Sequence, residues 1–386
     1  MGVYSEYLDR GMSFEDLTAE RKKQLQRISM LRGGRDVLVY AADLGKAGVS
    51  ISIDYSDILP VSDQLANLKA KRVDVIIETP GGDGAVAEDI VRLLRGKFDE
   101  VCFIVPGYAK SAGTIIAMSG DDILMGPTSA LGPIDAQLLW QGKVFSAEAL
   151  LEGMKKIKEE VTTSGTLNKA YIPMLQNISP GELQSAQNSL DFAHTLVKEW
   201  LVQYKFKDWH THSSSGKPVT DDEKKARADE IAGQLRSHQR WLSHSKSIKM
   251  DDLRAMRLKV TDYTGEGELG DAVQRYYTLL QMTFSSNIYK VIETPVSQIY
   301  RFLASAAAPM MQPGTPQAQT AVVQVRCARC GHQAEVQANL EVARPLEQGK
   351  IPFPADNRYT CPSCGEVTDL SPVRRQIEAQ TKRRIV

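Results

Sequence analysis

Apolar residues at Leu17, Leu25, Ile28 and Leu31 recur close to helical spacing in the otherwise charged stretch 14–31, which predicts an amphipathic helix or arm near the N-terminus. After it the period shortens. Residues 36–43 (DVLVYAAD), 49–54 (VSISID), 73–80 (VDVIIETP), 100–107 (EVCFIVPG) and 121–127 (DDILMGP) predict strands. Between them 61–68 (VSDQLANL), 85–95 (AVAEDIVRLLR) and 111–120 (SAGTIIAMSG) predict helices. Strand-helix-strand units of this length imply right-handed crossovers and a largely parallel sheet covered by helices, so the expected core is α/β.

From Ser146 to Tyr204 the pattern turns helical, with FSAEALLEGMKKIKEE and PGELQSAQNSLDFAHTLVKEWLVQY as two long segments. Residues 206–230 are polar and predict a loop leading into a helix, and 251–263 (DDLRAMRLKVTDY) a helix feeding a short strand. Between Phe302 and Gln319 the composition shifts to Ala, Pro, Gln and Gly, which buries too little apolar surface to fold alone and predicts a linker. Beyond it lie a Cys-bearing module and a tail with Arg374, Arg375, Lys382, Arg383 and Arg384 against a single Glu378. No internal repeat interrupts this order.

Composition narrows the class without naming it. The 386 residues are 42% hydrophobic and 24% charged, ordinary for a globular chain. Lys+Arg and Asp+Glu both number 47, so no global field draws the chain to nucleic acid, membrane or an acidic substrate. The opening MGVYSEYLDRGMSFEDL lacks the basic and apolar regions of a secretory signal, and Glu6 stands where a myristoylation pattern needs Ser or Thr. No stretch approaches the roughly 18 consecutive apolar residues of a membrane span. Five cysteines, four of them in metal-type spacing, fit a reducing compartment, so a cytoplasmic location is expected.

Two junctions carry chemistry. The strand at 73–78 runs into Thr79-Pro80-Gly81-Gly82-Asp83-Gly84 ahead of a helix, a turn able to present N–H groups to an anion or oxyanion. It is neither GxGxxG nor GxxxxGK[ST], which disfavours a nucleotide loop. About thirty residues on, Tyr108-Ala109-Lys110-Ser111-Ala112-Gly113-Thr114 opens an apolar helix. Ser111, flanked by small residues at a strand-helix junction, is the best nucleophile candidate, while a plain helix N-cap is an equally good local reading.

Taken together, TPGGDG followed by KSAGTIIAMSGDDILMGPTSALGPIDAQ resembles the Clp-protease and signal-peptide-peptidase-A superfamily, most closely its serine dehydrogenase proteinase branch, over roughly residues 35–265. The resemblance implies a Clp/crotonase-like α/β fold. It also implies an oxyanion hole of Gly82 N–H and Ala112 N–H, each donor typically worth about 10²- to 10³-fold in rate. GDDILMGPTSALGPI resembles the strand and turn that shape the family's peptide groove.

The base is harder to carry over. The Clp branch places a His some two dozen residues after the Ser. Here that neighbourhood is Gly132-Pro133-Ile134-Asp135-Ala136, with no His between Ser111 and His194, so a Clp-like Ser-His-Asp triad is not expected. The signal-peptide-peptidase branch uses a Lys well beyond the Ser and ahead of a helix start, and Leu167-Asn168-Lys169-Ala170 stands in that relation to Ile178-Ser179-Pro180-Gly181-Glu182-Leu183. Lys169 is therefore the expected base. Its pKa must fall from about 10.4 to roughly 7–8, which demands burial, and an ordinary solvated lysine is the competing reading. Lys155, Lys156 and Lys158 fit a solvent face, and Lys110 is expected to point away from its neighbour Ser111. His244 is the alternative base; it precedes a segment resembling the family's closing "helix, then Gly-Leu-Lys-Val" element, with Arg257 in place of the Gly.

Cys327-Ala-Arg-Cys330-Gly331 and Cys361-Pro-Ser-Cys364-Gly365 are two CxxCG knuckles whose four thiolates suit one tetrahedral Zn²⁺ in a structural role. Cys102, in an apolar strand, fits the core. The expected layout is an N-terminal helical arm (1–34), a Clp/crotonase-like serine peptidase domain (35–285), a helix and Ala/Pro/Gln-rich linker (286–320), a four-cysteine zinc ribbon (321–370) and a basic tail (371–386). The expected function is an ATP-independent serine endopeptidase using Ser111 and Lys169 on peptide or protein substrates. By the same resemblance the chain assembles into a homo-oligomer. Two rival readings stay open: an acyl-thioester enzyme of crotonase type, and a catalytically silent scaffold binding a partner or nucleic acid through the ribbon.

Overall fold

The computed structural model describes residues 2–140, 143–212, 215–265, 267–303, 319–327 and 329–386. Most of the expected linker, 304–318, lies outside these residues. The chain divides into two compact units, one of Ser29–Gly270 with Ile292–Ile299, the other of Met1–Ile28, Asp271–Val291 and Tyr300–Val386.

In the first unit five strands lie side by side and parallel: β1 (Asp36–Ala42), β2 (Arg72–Glu78), β3 (Glu100–Val105), β4 (Asp122–Met125) and β5 (Thr261–Asp262). Val39 lies opposite Ile76, Val75 opposite Phe103, Ile104 opposite Leu124 and Leu124 opposite Thr261. Every residue of β1, β2 and β3 after the first is buried, so both faces of the sheet are covered. This is why these strands show as continuous apolar runs instead of alternating ones. Helices α1 (Ile58–Ala66), α2 (Gly84–Lys97) and α3 (Ala112–Met118) follow the strands in the expected order. Cys102 sits in β3 with Arg35 Nη2 3.3 Å from its sulfur, and burial pushes its thiol up to about 12, so it belongs to the core as expected.

The segment 49–54 departs from expectation and forms no strand. Ile53 instead makes a single bridge to Gly82, its N–H donating to Gly81 O (2.8 Å) and its C=O accepting from Asp83 N–H (2.9 Å), while Asp54 caps the next turn. Its apolar alternation serves to lay one residue across the glycine turn.

Between β4 and β5 the chain makes a long excursion: a short strand Ala130–Leu131, a hairpin Gln137–Trp140 with Lys143–Ser146, and helices α4 (Ala147–Ser164), α5 (Pro180–Trp200), α6 (Asp221–Arg236) and α7 (Met250–Ala255). Helix α5 starts on a capping box in which Ser179 and Glu182 satisfy each other's backbone N–H groups, with Pro180 in its first turn. It buries Ala186, Leu190, Ala193, Val197 and Trp200, and packs against α4 and α6.

In the second unit, strands Thr320–Arg326 and Gln333–Asn339 pair antiparallel, Lys350–Pro352 joins the latter in parallel, and Arg358–Thr360 pairs with Val367–Asp369. The basic C-terminal segment is a helix, Ser371–Thr381, and its last residues bridge back through Ile385 to Leu340. Its cations are engaged locally. Arg374 donates to Asn357 Oδ1 and Ile385 O, Arg375 is buried, and Arg384 pairs with Glu15 and Asp16. No helix among the described residues is long and apolar enough to cross a membrane.

Candidate active site

Two tight turns at the carboxyl ends of β2 and β3 meet. Thr79 N–H donates to Tyr108 O (2.8 Å) and Lys110 N–H to Thr79 O (3.0 Å), which draws the Gly81-Gly82 turn against the Lys110-Ser111 turn. A Cβ on Gly81 would stand 2.6 Å from Ser111 Cβ, and one on Gly82 would stand 2.3 Å from Ile53 O. With φ of +105° and +150°, both positions require glycine on conformational and steric grounds.

Ser111 precedes α3 with φ 50° and ψ −117°, a conformation that L-residues avoid and that a nucleophile elbow imposes. It occupies the N-cap position, yet its hydroxyl makes no capping hydrogen bond, which counts against the plain N-cap reading. Among the described residues, neither Gly82 N–H nor Ala112 N–H has a hydrogen-bond partner. Both residues border, with Ser111, a cavity of about 560 Å³.

The same cavity is lined by Asp135 and His244. His244 Nδ1 lies 2.7 Å from Asp135 Oδ1, and Gln137 Nε2 donates to Asp135 Oδ2 at 2.9 Å. Asp135 is only 1% exposed. A buried carboxylate on Nδ1 fixes the ring orientation and leaves Nε2 as the free nitrogen. His244 reaches the site because its segment is stitched to the strand that leads to Asp135: Leu131 and Ile248 exchange two backbone hydrogen bonds of 3.0 Å, and Lys249 Nζ donates to Thr128 O and Ser129 O.

Lys169, by contrast, stands exposed on a short turn after α4 and lines no part of this cavity. Lys110 points away from Ser111, as expected, and donates to Lys246 O (2.9 Å), Ser247 Oγ (2.9 Å) and Ser245 O (3.4 Å). Burial, with the cations of Lys249 and Lys246, pushes its pKa down to about 8. The Asp135–His244 pair is what the sequence concealed. Its members lie 109 residues apart, on either side of the α4–α6 excursion, and the GPID stretch that holds Asp135 has no His near it in the chain to mark it.

In the other unit, the four sulfurs of Cys327, Cys330, Cys361 and Cys364 lie within 4.8 Å of one another, and the 327–364 and 330–361 pairs are both 3.6 Å apart. A tetrahedral ion with metal–sulfur bonds of about 2.3 Å needs sulfurs about 3.8 Å apart, so the donor set fits. The two knuckles are built alike: Gly331 N–H donates to Cys327 O and Gly365 N–H to Cys361 O, each at 2.9 Å. N–H groups of Cys330 and Arg329 turned toward Cys327 lower its thiol, while the crowding of the neighbouring sulfurs raises those of Cys330 and Cys364, so without a cation the cluster resists carrying several thiolates at once. These four cysteines can hold a metal ion.

A parallel α/β core with a strained serine between β3 and the following helix is the setting in which serine hydrolases place a nucleophile. More narrowly, the chain belongs to the ClpP-like SDH-type serine proteinases, a family that residues 7–209 match. Two uncharacterized proteins of Methanocaldococcus jannaschii are similar to it. One is 31% identical over 162 residues, covering 41% of this chain and 52% of the relative; the other is 26% identical over 144 residues, covering 37% and 44%. The chain thus spans about half the length of the curated relatives it matches. Among solved structures, it is similar to a lysine-to-alanine mutant of the 1510-N membrane-bound stomatin-specific protease in complex with a substrate peptide, at 16% identity and a TM-score of 0.32, over 65% of this chain and 83% of that one. ClpP1 from Listeria monocytogenes is similar at 10% identity and a TM-score of 0.31, over 63% and 96%.

Proposed function

We propose that the protein is an ATP-independent serine endopeptidase that works through an acyl-enzyme on Ser111, with His244 as general base and Asp135 orienting it. The observation that carries this reading is the shared cavity, where the strained serine and two unpaired backbone N–H groups face a His–Asp pair. Ser111 Oγ attacks the scissile carbonyl as His244 Nε2 takes its proton, and Asp135 supports the imidazolium that forms. The tetrahedral oxygen is received by Gly82 N–H and Ala112 N–H. Collapse expels the amine, protonated by His244, and water then attacks the acyl carbonyl by the reverse path. Among the described residues, Asp83 and Asp135 are the acidic ones lining the cavity and His244 the basic one, while Ser52, Gln137, Ser185, Asn188 and Ser189 add uncharged polar groups, so a substrate there meets hydrogen-bonding and apolar surface and little charge.

Lys169, the base that the resemblance pointed to, is set aside in favour of His244 because it is solvent-exposed and away from the cavity of its own chain. We assign zinc to the four-cysteine cluster, where it would rigidify the two knuckles and take no part in a reaction step. The local hydrogen bonds and ion pairs of Arg374, Arg383 and Arg384, with the burial of Arg375, count against the C-terminal segment as a nucleic-acid arm. A cytoplasmic, homo-oligomeric enzyme completes the reading.

The test is hydrolysis of an unstructured protein by Ser111→Ala, His244→Ala, Asp135→Asn and Lys169→Ala variants. Loss of a general base costs about 10²- to 10⁴-fold, so the first three are expected to fall at least that far and Lys169→Ala to stay near wild type. Full activity in His244→Ala with loss in Lys169→Ala would transfer the base to the lysine.

A further inference from the structure

We propose that Lys110 is a positioning residue for the general base: its ammonium ties the segment carrying His244 to the turn carrying Ser111. The inference rests on His244 as the base. His244 sits in residues 243–247, between Trp241, whose Nε1 donates to Gln234 O (2.7 Å), and Ile248, which is bridged to Leu131. Residues 245 and 246 hydrogen-bond back to Ser243, and beyond that local turn Lys110 is, among the described residues, the one hydrogen-bond partner of 245–247; Ser243, Ser245 and Lys246 are exposed. Without Lys110, five residues that include the base hang on the His244–Asp135 contact.

The path of the side chain is itself built. Lys110 runs beside Gly132, where a Cβ would stand 2.7 Å from Lys110 Cδ, so a larger residue at 132 would block it. Its three N–H donors meet three acceptors, a match that the neutral amine, with two, cannot keep. The groups facing the ammonium are the cations of Lys246 and Lys249 and the ring of Tyr108, 5.5 Å from Nζ to centroid; no carboxylate pairs with it among the described residues. Because burial and those cations bring its pKa down to about 8, the third hydrogen bond is lost within the range where a peptidase is assayed.

The experiment compares the full-length wild type with Lys110→Met, Lys110→Arg and His244→Ala in peptide hydrolysis from pH 6 to 10, with melting followed in parallel. Misplacing a catalytic group by about 1 Å costs on the order of 10²-fold, so Lys110→Met is expected to lose about 10- to 100-fold in kcat with KM within about twofold. Wild type is expected to lose activity as pH rises through about 8, and Lys110→Arg, charged at every pH used, should recover most of the loss and abolish that alkaline fall. Wild-type kcat in Lys110→Met overturns the proposal, as does an alkaline fall unchanged in Lys110→Arg. If Lys110→Met fails to fold, the comparison of pH profiles between wild type and Lys110→Arg still decides. Full activity in His244→Ala marks a different failure, that of the base assignment itself, and removes the proposal with it.

Discussion

Ser111 holds a backbone conformation, φ 50° and ψ −117°, that costs an L-residue roughly 1–3 kcal/mol. The chain accepts this where it exposes the hydroxyl, so relief should come only from removing the Cβ. Ser111→Gly is expected to unfold in urea at about 1 kcal/mol higher stability than Ser111→Ala, both being inactive. Equal stabilities would mean that the turn is not strained. Lys110 gives a prediction of opposite sign for folding and catalysis. Its folded-state pKa, about 8, lies below its ordinary 10.5, so above pH 8 the unfolded chain binds more protons at this group than the folded one. Its contribution to stability therefore rises from pH 8 to about 10.5 while activity falls, and the rise should vanish in Lys110→Met when urea midpoints are compared at pH 7 and 9.5. At this scale the sequence disclosed what is local. That Ser111, Gly82 and Ala112 lie together was legible because each strand-turn-helix junction is written in consecutive residues. The His244–Asp135 pair was not, because no pattern of spacing bridges a helical excursion of a hundred residues.

The elements explain why the turn beside Ser111 is built on two glycines. The Gly81–Gly82 segment is clamped between Ile53 on one side and the Ser111 turn on the other, so it has no room to give. Gly82→Ala is expected to displace the N–H at this position, lowering kcat by about 10²- to 10³-fold. An active, normally melting Gly82→Ala enzyme would show that the turn does not matter for the oxyanion. The order of strands and helices was legible through α3 and β4 because the strands are buried on both faces and carry unbroken apolar runs. Segment 49–54 misled because its alternation mimics a half-buried strand, whereas in the fold Ile53 alone pairs across the turn. Helix α4 also buries little besides Ala147, so its pattern foretold a helix without foretelling what it packs on.

At the scale of the whole molecule, the proposed chemistry lies wholly in the unit of Ser29–Gly270 and the four-cysteine cluster wholly in the other. Chelation, or Cys327→Ser, should therefore lower the melting temperature and release one equivalent of zinc per chain, detected by a colorimetric indicator. Reactivity of Ser111 toward a small probe should stay within about twofold, since a structural metal supplies fold and not chemistry. Release of no metal from protein purified without chelators would remove the zinc assignment. The measurement closest to the centre is intact mass after incubation with a fluorophosphonate, on wild type, Ser111→Ala, His244→Ala and Lys169→Ala. Expected is one adduct per chain in wild type and in Lys169→Ala, none in Ser111→Ala, and labelling slowed about 100-fold or more in His244→Ala. A wild-type protein that takes up no adduct, or an adduct that persists in Ser111→Ala, would contradict Ser111 as the nucleophile.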